Sequence, residues 1–580
     1  MKICLAPFKR RGSALLVVMM LGSISLFILA ETMNWTAATS VINDDAVRHS
    51  VAVAAAEAAT ESAIAELAMD FSQQGAGAIG AKLDLYKKRI PKSSQNPHWG
   101  KFTFNNGKGK AGEVEVELVS PWAANRPLLS QYEGLKGYAA TYRITSNAAD
   151  IGARRNLIGG VQQDVQLALI PVFQFAIFYN LGLEINPGAN MTISGRTHGN
   201  KNMYLQPSSV TLTFVGDVTS AGEIVPNKMP GDPVSRGKGN IIFKAGHDSG
   251  VMSLNLPIGT ANTPEAVRQI VELPPNNESP NSEMGKQRFC NNADLVILVK
   301  DNGVDVRGGG MANGTGANLK WSSISNFVTI TNAMMYDARE QKTVRLTEIN
   351  VAGFVSWNAN SQNALKNALQ RDVNSIYVAD LRTNAPTETH GIRLVNGATL
   401  PPLGLTVATP NPLYVKGHYN ASGASLASHN TTNTRPAALV ADAITVLSGN
   451  WADGNSAKTL SSRTAAHTTV NAAFLAGIVE TGNGYYSGGV ENFPRFLENW
   501  SGRTFTYNGS MVVLYKSQHA TGPWRGTGNT YQIYNPPVRD WSFDTAFLDP
   551  ARLPPLTPSV RAVIRGQWQR AAPGALASNN

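Results

Sequence analysis

Residues 9–30 read KRRG and then SALLVVMMLGSISLFILA: the basic Lys9, Arg10 and Arg11, the small Gly12, and eighteen uncharged residues from Ser13 to Ala30. A basic patch stays in the cytoplasm while an apolar run enters the bilayer. Eighteen residues at about 1.5 Å rise span roughly 27 Å, against a hydrocarbon core of about 30 Å. The run is expected to anchor the chain through Leu15, Leu16, Val17, Val18, Leu21, Ile24, Leu26, Phe27, Ile28 and Leu29. No A-x-A-like cleavage site follows it, as a conventional signal peptide requires, and the small residue Gly12 precedes it. Cleavage there would leave the apolar segment on the mature protein.

Glu31 to Met69 continues without proline or glycine and ends in the alanine-rich AVAAAEAATESAIAELAMD, residues 52–70. Alanine is the strongest helix former, so the reading predicts one helix running from the membrane to about Asp70. The order of basic leader, glycine and retained apolar helix resembles the class III signal of type IV pilins and type II secretion pseudopilins. AAEAATESAIAEL, residues 55–67, resembles the AAEAAL-type motif of PilX-type minor pilins. The resemblance implies a prepilin peptidase that cuts between Gly12 and Ser13 and methylates the new terminus. It also implies other pilins or pseudopilins as partners and a single pass through the bacterial inner membrane, amino terminus cytoplasmic. The ectodomain would be periplasmic, or extracellular on a filament. An ordinary single-span anchor is the competing reading.

Most pilins carry a glutamate at the fifth mature position, and here that residue is Val17. An ionised carboxylate in a membrane is costly unless paired, so its absence changes how the subunit docks. The tip pseudopilin K of type II secretion also lacks it, which points to a tip or priming subunit. The alternative is a divergent pilin docked by another contact.

Composition fits an exported, mostly β ectodomain of about 510 residues, with 53 glycines and only 16% charged residues. Four of the fifty basic residues lie in the leader, so its removal lowers the formal charge from +10 to +6. That excess is too dilute for a nucleic-acid footprint. Cys4 lies ahead of the apolar run, leaving Cys290 as the one thiol of the mature chain and no internal disulfide. Its surroundings, RFCNNADLVILV, lead into a buried strand, which marks a structural thiol.

The expected fold is α+β: a leader at 1–12, a helix at 13–70, a pilin-head-like segment at 71–172 and a β-rich ectodomain at 173–580. In the head, GEVEVELVSPW, GYAATYRITSNA and VQQDVQLALIP alternate with period two and read as strands. Tyr138, Tyr142 and Ile144 are expected on one face of the middle strand, with Ala140 and Arg143 opposite. From Phe173 the pattern shortens to LEIN, MTIS, NMYL, LTFV and DVTSA, closed by glycine or asparagine. Such texture, returning at 392–420, 438–451 and 469–481, favours a parallel β-helix or solenoid over a β-sandwich. SQNALKNALQRDV, residues 361–373, has helical spacing and reads as an insert. The β scaffold is expected to be rigid and elongated and to keep its fold without the helix.

Stretches such as GKQRFCNNADLVIL, RPAALVADAITVLS, YYSGGVENFPRFLENW and NPPVRDWSFD resemble large bacterial proteins with a PilX-type amino terminus. Gly488 and Gly489 permit a tight turn there, and Phe493, Phe496 and Trp500 offer apolar surface.

No HExxH, GxSxG or P-loop is present, and RGGGMANGTGANLKW, residues 307–321, lacks the GK[ST] that cradles phosphate. His198, His418, His429 and His467 fall among glycines and asparagines and are expected in surface turns. Asp301 and Asp305, around Asn302 and Gly303, lack the later glutamate of a calcium loop and read as an acidic turn. No catalytic, cofactor or metal residue is therefore assigned. The reading is a minor pilin or pseudopilin-like subunit near a filament tip, whose ectodomain serves adhesion or partner binding. The alternative is a membrane-anchored β-helical enzyme acting on polysaccharide, with carboxylates along one groove.

Overall fold

The computed structural model describes residues 13–152, 157–311 and 318–571. Gly12 and the other residues read as a leader lie outside the described residues. A long helix, α1 (Ser13–Gln74), leads into a mostly β ectodomain of several sheets, an α+β architecture. All of α1 from Ser13 to Ala38 is exposed, whereas Ala52, Ala55, Ala56, Ala59 and Ala63 are buried. These alanines recur at three- and four-residue spacing, so α1 lays a flat stripe on the sheet beneath it. Gly159 lies under the stripe, where a Cβ would fall 2.2 Å from the Val53 nitrogen. Only glycine permits that approach.

The sheet under α1 comprises β1 (Phe102–Asn105), β2 (Glu115–Pro127), β3 (Lys136–Asp150) and β4 (Ile158–Pro171), all antiparallel. The C-terminal strand Ser559–Arg570 returns to pair with the outer edge of β4. Ala140, Tyr142 and Ile144 on β3 pack in the core shared with α1, so Ala140 lies on the same face as Tyr142 rather than opposite it. Arg143 points the other way and pairs with Asp164 at 2.8 Å. Ile64, Leu67 and Phe71 of α1 complete this core with Phe102, Phe104 and Val165. The helix is thus one wall of the head, whose core is distinct from the larger core formed by the strands beyond Phe173.

Ten short strands follow: β5 (Ile177–Tyr179), β6 (Leu183–Ile185), β7 (Met191–Ile193), β8 (Thr197–Gly199), β9 (Met203–Leu205), β10 (Thr211–Phe214), β11 (Val218–Ser220), β12 (Ile224–Val225), β13 (Asn240–Phe243) and β14 (His247–Ser249). Each of β5 to β11 pairs in parallel with the strand three places later, giving three sets. A second run then places Leu295–Lys300, Ser375–Asp380, Leu405–Ala408, Ala437–Ala441, Ala473–Ala476 and Met511–Val513 side by side in parallel. Its last strand pairs in parallel with β5, so the two runs merge into one twelve-stranded sheet. The helix Ala364–Leu369 falls within the segment read as an insert.

The register is set by apolar columns. Ile376, Val407, Leu439, Phe474, Met511 and Ile177 align across six strands, each at most 4% exposed. A fully buried side chain of this kind contributes about 1.5–3 kcal/mol. A parallel sheet is covered on both faces, and residues 250–294 supply part of the cover. Tyr377 Oη donates to Val271 O at 2.8 Å, and the buried Arg268 guanidinium forms an ion pair with the buried Asp442.

Candidate functional site

Helix α1 carries the first site. Leu15, Leu16, Val17, Val18, Leu21, Ile24, Leu26, Phe27, Ile28 and Leu29 are each more than half exposed and surround the helix. An apolar surface on every side suits a bilayer, and α1 is long and apolar enough to cross one. Trp35 is 73% exposed, twenty-two residues or roughly 33 Å beyond Ser13, where an indole suits the membrane interface. Ser13 is the first helical residue described.

The ectodomain redistributes the other sequence candidates. Cys290 is fully buried, and burial pushes its thiol up to about 12. Asp301 accepts from the Thr383 hydroxyl at 2.7 Å and its main-chain N–H at 3.0 Å, which holds its carboxyl below the usual range. Asp305 pairs with Arg307 at 2.7 Å. Among the described residues no group of three or more His, Cys, Asp and Glu could hold a metal ion. The glycine-rich stretch at 307–321 is only partly within the described residues.

His198 is not a surface turn residue. It lies fully buried in β8, where Nδ1 meets Thr219 Oγ1 at 2.8 Å and Nε2 meets Asn200 Oδ1 at 3.0 Å. Burial pushes its imidazole down to about 4. His418 and His467 each accept a main-chain N–H, from Thr469 and Thr504. His429 bridges Asn508 Oδ1 at 2.6 Å and Asp540 Oδ1 at 2.8 Å.

The second site lies where the two runs meet. On the first strand set the join is continuous, through β5 and Met511–Val513. Beside β6 it is filled by the loop before Pro494–Phe496: Ser487 Oγ donates to Glu184 Oε2 at 2.7 Å, and Asn186 Nδ2 to Tyr486 Oη at 3.1 Å. Beside β7 the join is made without a ladder. β7 and Val538–Phe543 are neighbours without strand pairing, joined by Phe543 N–H donating to Ser194 Oγ at 2.9 Å.

A cavity of about 500 Å³ occupies this seam, lined by Ile177, Met191, Ile193, Val490, Met511 and Trp541 among others. That volume falls in the range of small-ligand and side-chain pockets, roughly 300–1,000 Å³. Arg539 lines it with both Nε and Nη2 donating to Glu491 O, at 3.1 and 2.9 Å, and its guanidinium 5.5 Å from the Trp541 ring centroid. Asp540 is held by His429 and by Thr506 Oγ1 at 3.2 Å. The Glu491 side chain is 5% exposed, and burial pushes its carboxyl up to about 7. The seam therefore offers apolar contact; Arg539 and Asp540 are engaged internally, whereas both Glu491 carboxyl oxygens, buried in the lining, have no hydrogen-bond partner among the described residues. Sequence reading identified MTIS and NPPVRDWSFD as separate stretches; nothing in either shows that they face one another.

No family model matches the chain, and no curated protein matches it. Among solved structures it is similar to the crystal structure of the competence-associated pilin ComZ from Thermus thermophilus, at 12% identity over 88% of this chain and 97% of that chain. The TM-score is 0.27. So loose a likeness carries no argument about fold or function.

Proposed function

We propose that the chain is a minor pilin or pseudopilin-like subunit of a type IV pilus or type II secretion filament. A prepilin peptidase cuts it between Gly12 and Ser13, and α1 holds it in the inner membrane with its amino terminus cytoplasmic. The observation that carries the reading is the division of α1: one unbroken helix that is apolar and exposed from Ser13 to Ala30, then a buried wall of the head sheet from Ala52. A plain membrane anchor has no need to continue, without a break, into the core of its own ectodomain.

Between these parts, Glu31 to Val51 extends roughly 32 Å as helix. It leaves Val41, Ile42 and Val47 exposed beyond the apolar run. Such residues suit contact with helices of neighbouring subunits. Val17 in place of a membrane-buried acid supports a position near the tip. The in-register parallel ladders support reading the ectodomain as a parallel β-solenoid, in which each strand buries its apolar face against its neighbours. Its role is to meet a partner or surface.

Immunogold labelling of the ectodomain on sheared filaments tests this. Sparse label at filament ends is the expected result. Label along the whole shaft would contradict the tip position, and absence from filaments in cells that retain the full leader would contradict the pilin-like reading.

A further inference from the structure

Glu491 stands in the cavity wall, 5% exposed, and among the described residues neither of its carboxyl oxygens has a hydrogen-bond partner. The main-chain N–H groups of Glu491 and Asn186 approach the carboxyl without bonding it. A buried acceptor left unmet carries a desolvation cost that a partner removes. Behind the carboxyl the wall is closed: a Cβ on Gly489 would collide with Glu491 Oε2 and with the Tyr486 hydroxyl. The space beside it is the cavity, whose mouth is marked by residues 188–190 and Val538, all exposed. Arg539, Asp540 and Glu491 are the charged residues of its lining. The first two cancel, so the lining carries one net negative charge whenever Glu491 is ionised. Trp541 Nε1 is also without a partner there; as a neutral donor it sets no charge on an occupant.

We propose that this cavity binds a small apolar amine, whose body packs against Met191, Ile193 and Met511 and whose ammonium group pairs with the Glu491 carboxylate. Both oxygens are sealed from solvent, so the pair forms as the Glu491 side chain turns from the wall into the cavity. An apolar chamber with one convergent polar group is the ordinary form of a small-molecule site. A buried carboxylate is tolerated when an opposite charge meets it, and the cations nearest to Glu491 are engaged elsewhere. Arg539 donates to Glu491 O rather than to its carboxyl, and Arg236 pairs with Asp232 at 2.5 Å. A single ammonium brings the lining to neutrality, whereas an anion would face the carboxylate and a neutral ligand would leave its charge unmet. Asp540, at the mouth, is itself held by His429 and Thr506, which leaves Glu491 as the group that selects the cation.

This site stands apart from the filament role, and its failure would leave processing and filament position untouched. The full chain in lipid nanodiscs is titrated calorimetrically with 2-phenylethylamine, its neutral isostere 2-phenylethanol, phenylacetate and the blocked peptide Ac-Gly-Lys-Gly-NH2, each corrected for uptake by empty nanodiscs. The expected result is saturable binding of the amine, at least tenfold weaker binding of the alcohol and the peptide, and none of phenylacetate. Glu491→Gln should weaken amine binding at least tenfold with an unchanged melting curve and leave the alcohol as it was. Because burial pushes the Glu491 carboxyl up to about 7, amine affinity should also rise about tenfold from pH 6 to pH 8 as the carboxyl ionises. Arg539, Arg236 and the hydroxyls of Tyr179, Tyr486 and Tyr534 face this carboxyl, and burial holds those hydroxyls above their ordinary range. His429 acts only through Asp540, so a pH dependence that survives Glu491→Gln would assign it to the mouth and overturn the role of Glu491. Should that variant unfold, the comparison of amine with alcohol still decides. Equal binding of the alcohol would overturn the charge pairing, tighter binding of the peptide would overturn a small ligand in favour of a partner's lysine, and no binding of the amine would overturn the site.

Discussion

His198 stacks on Phe178 at 5.3 Å between ring centroids, deep in the first run. Its folded pKa lies near 4, against 6.5 unperturbed, because burial disfavours the imidazolium. Between those values the unfolded chain binds a proton that the folded chain does not. Stability from this group is therefore complete above about pH 6.5 and is lost as pH falls towards 4, at about 1.4 kcal/mol per unit. Glu491 and Glu498, whose carboxyls burial pushes up to about 7, act in the opposite sense. The difference between wild type and His198→Phe isolates the histidine. Denaturation at several pH values should show the wild type losing ground to the variant as pH falls from 7 to 4; a pH-independent difference would refute the account.

The sequence placed His198 in a turn because glycines and asparagines surround it. A three-residue strand is too short to show a period, so its burial was not legible. Asp442 was equally silent. It pairs with Arg268 and also accepts N–H groups from Gln518 at 2.7 Å and Ala520 at 2.8 Å. Removing one member of a buried pair costs about 3–5 kcal/mol. Urea denaturation of Asp442→Ala should show a loss of that order, and a loss below about 1 kcal/mol would mean that the return segment is held otherwise.

At the scale of elements, α1 and the head strands were legible because alanine content and period-two alternation are local signals. The partner of Ser559–Arg570 was not. Val560, Ala562 and Ile564 alternate inward and are buried, yet nothing in them names β4, far earlier in the chain. This strand also fastens the helix: Arg565 pairs with Glu61, and Arg561 Nη1 donates to Ser72 O at 2.6 Å. Ending the chain at Pro558 should open the edge of β4 and release α1. Limited proteolysis should then cut within residues 52–74, and full protection of that segment would contradict the assignment.

For the whole molecule, the short glycine- and asparagine-punctuated strands announced parallel stacking, but not that the chain makes two runs or that the last strand lies against the first. That junction is non-local and depends on Met511–Val513 meeting β5. Val512 is fully buried opposite Phe178. Val512→Asp would bury an unpaired charge at a cost of at least several kcal/mol. The ectodomain should then unfold in two transitions where the wild type shows one; a single transition at an unchanged midpoint would show that the runs do not depend on this join.

The division of α1 into an anchor and a head wall underlies the account of function, and processing is its most direct test. Mass spectrometry of the chain recovered from membranes should find a methylated amino terminus at Ser13, with Gly12→Trp retaining the leader. A mature chain that begins anywhere else, or a wild-type chain that keeps its first twelve residues, would contradict the account.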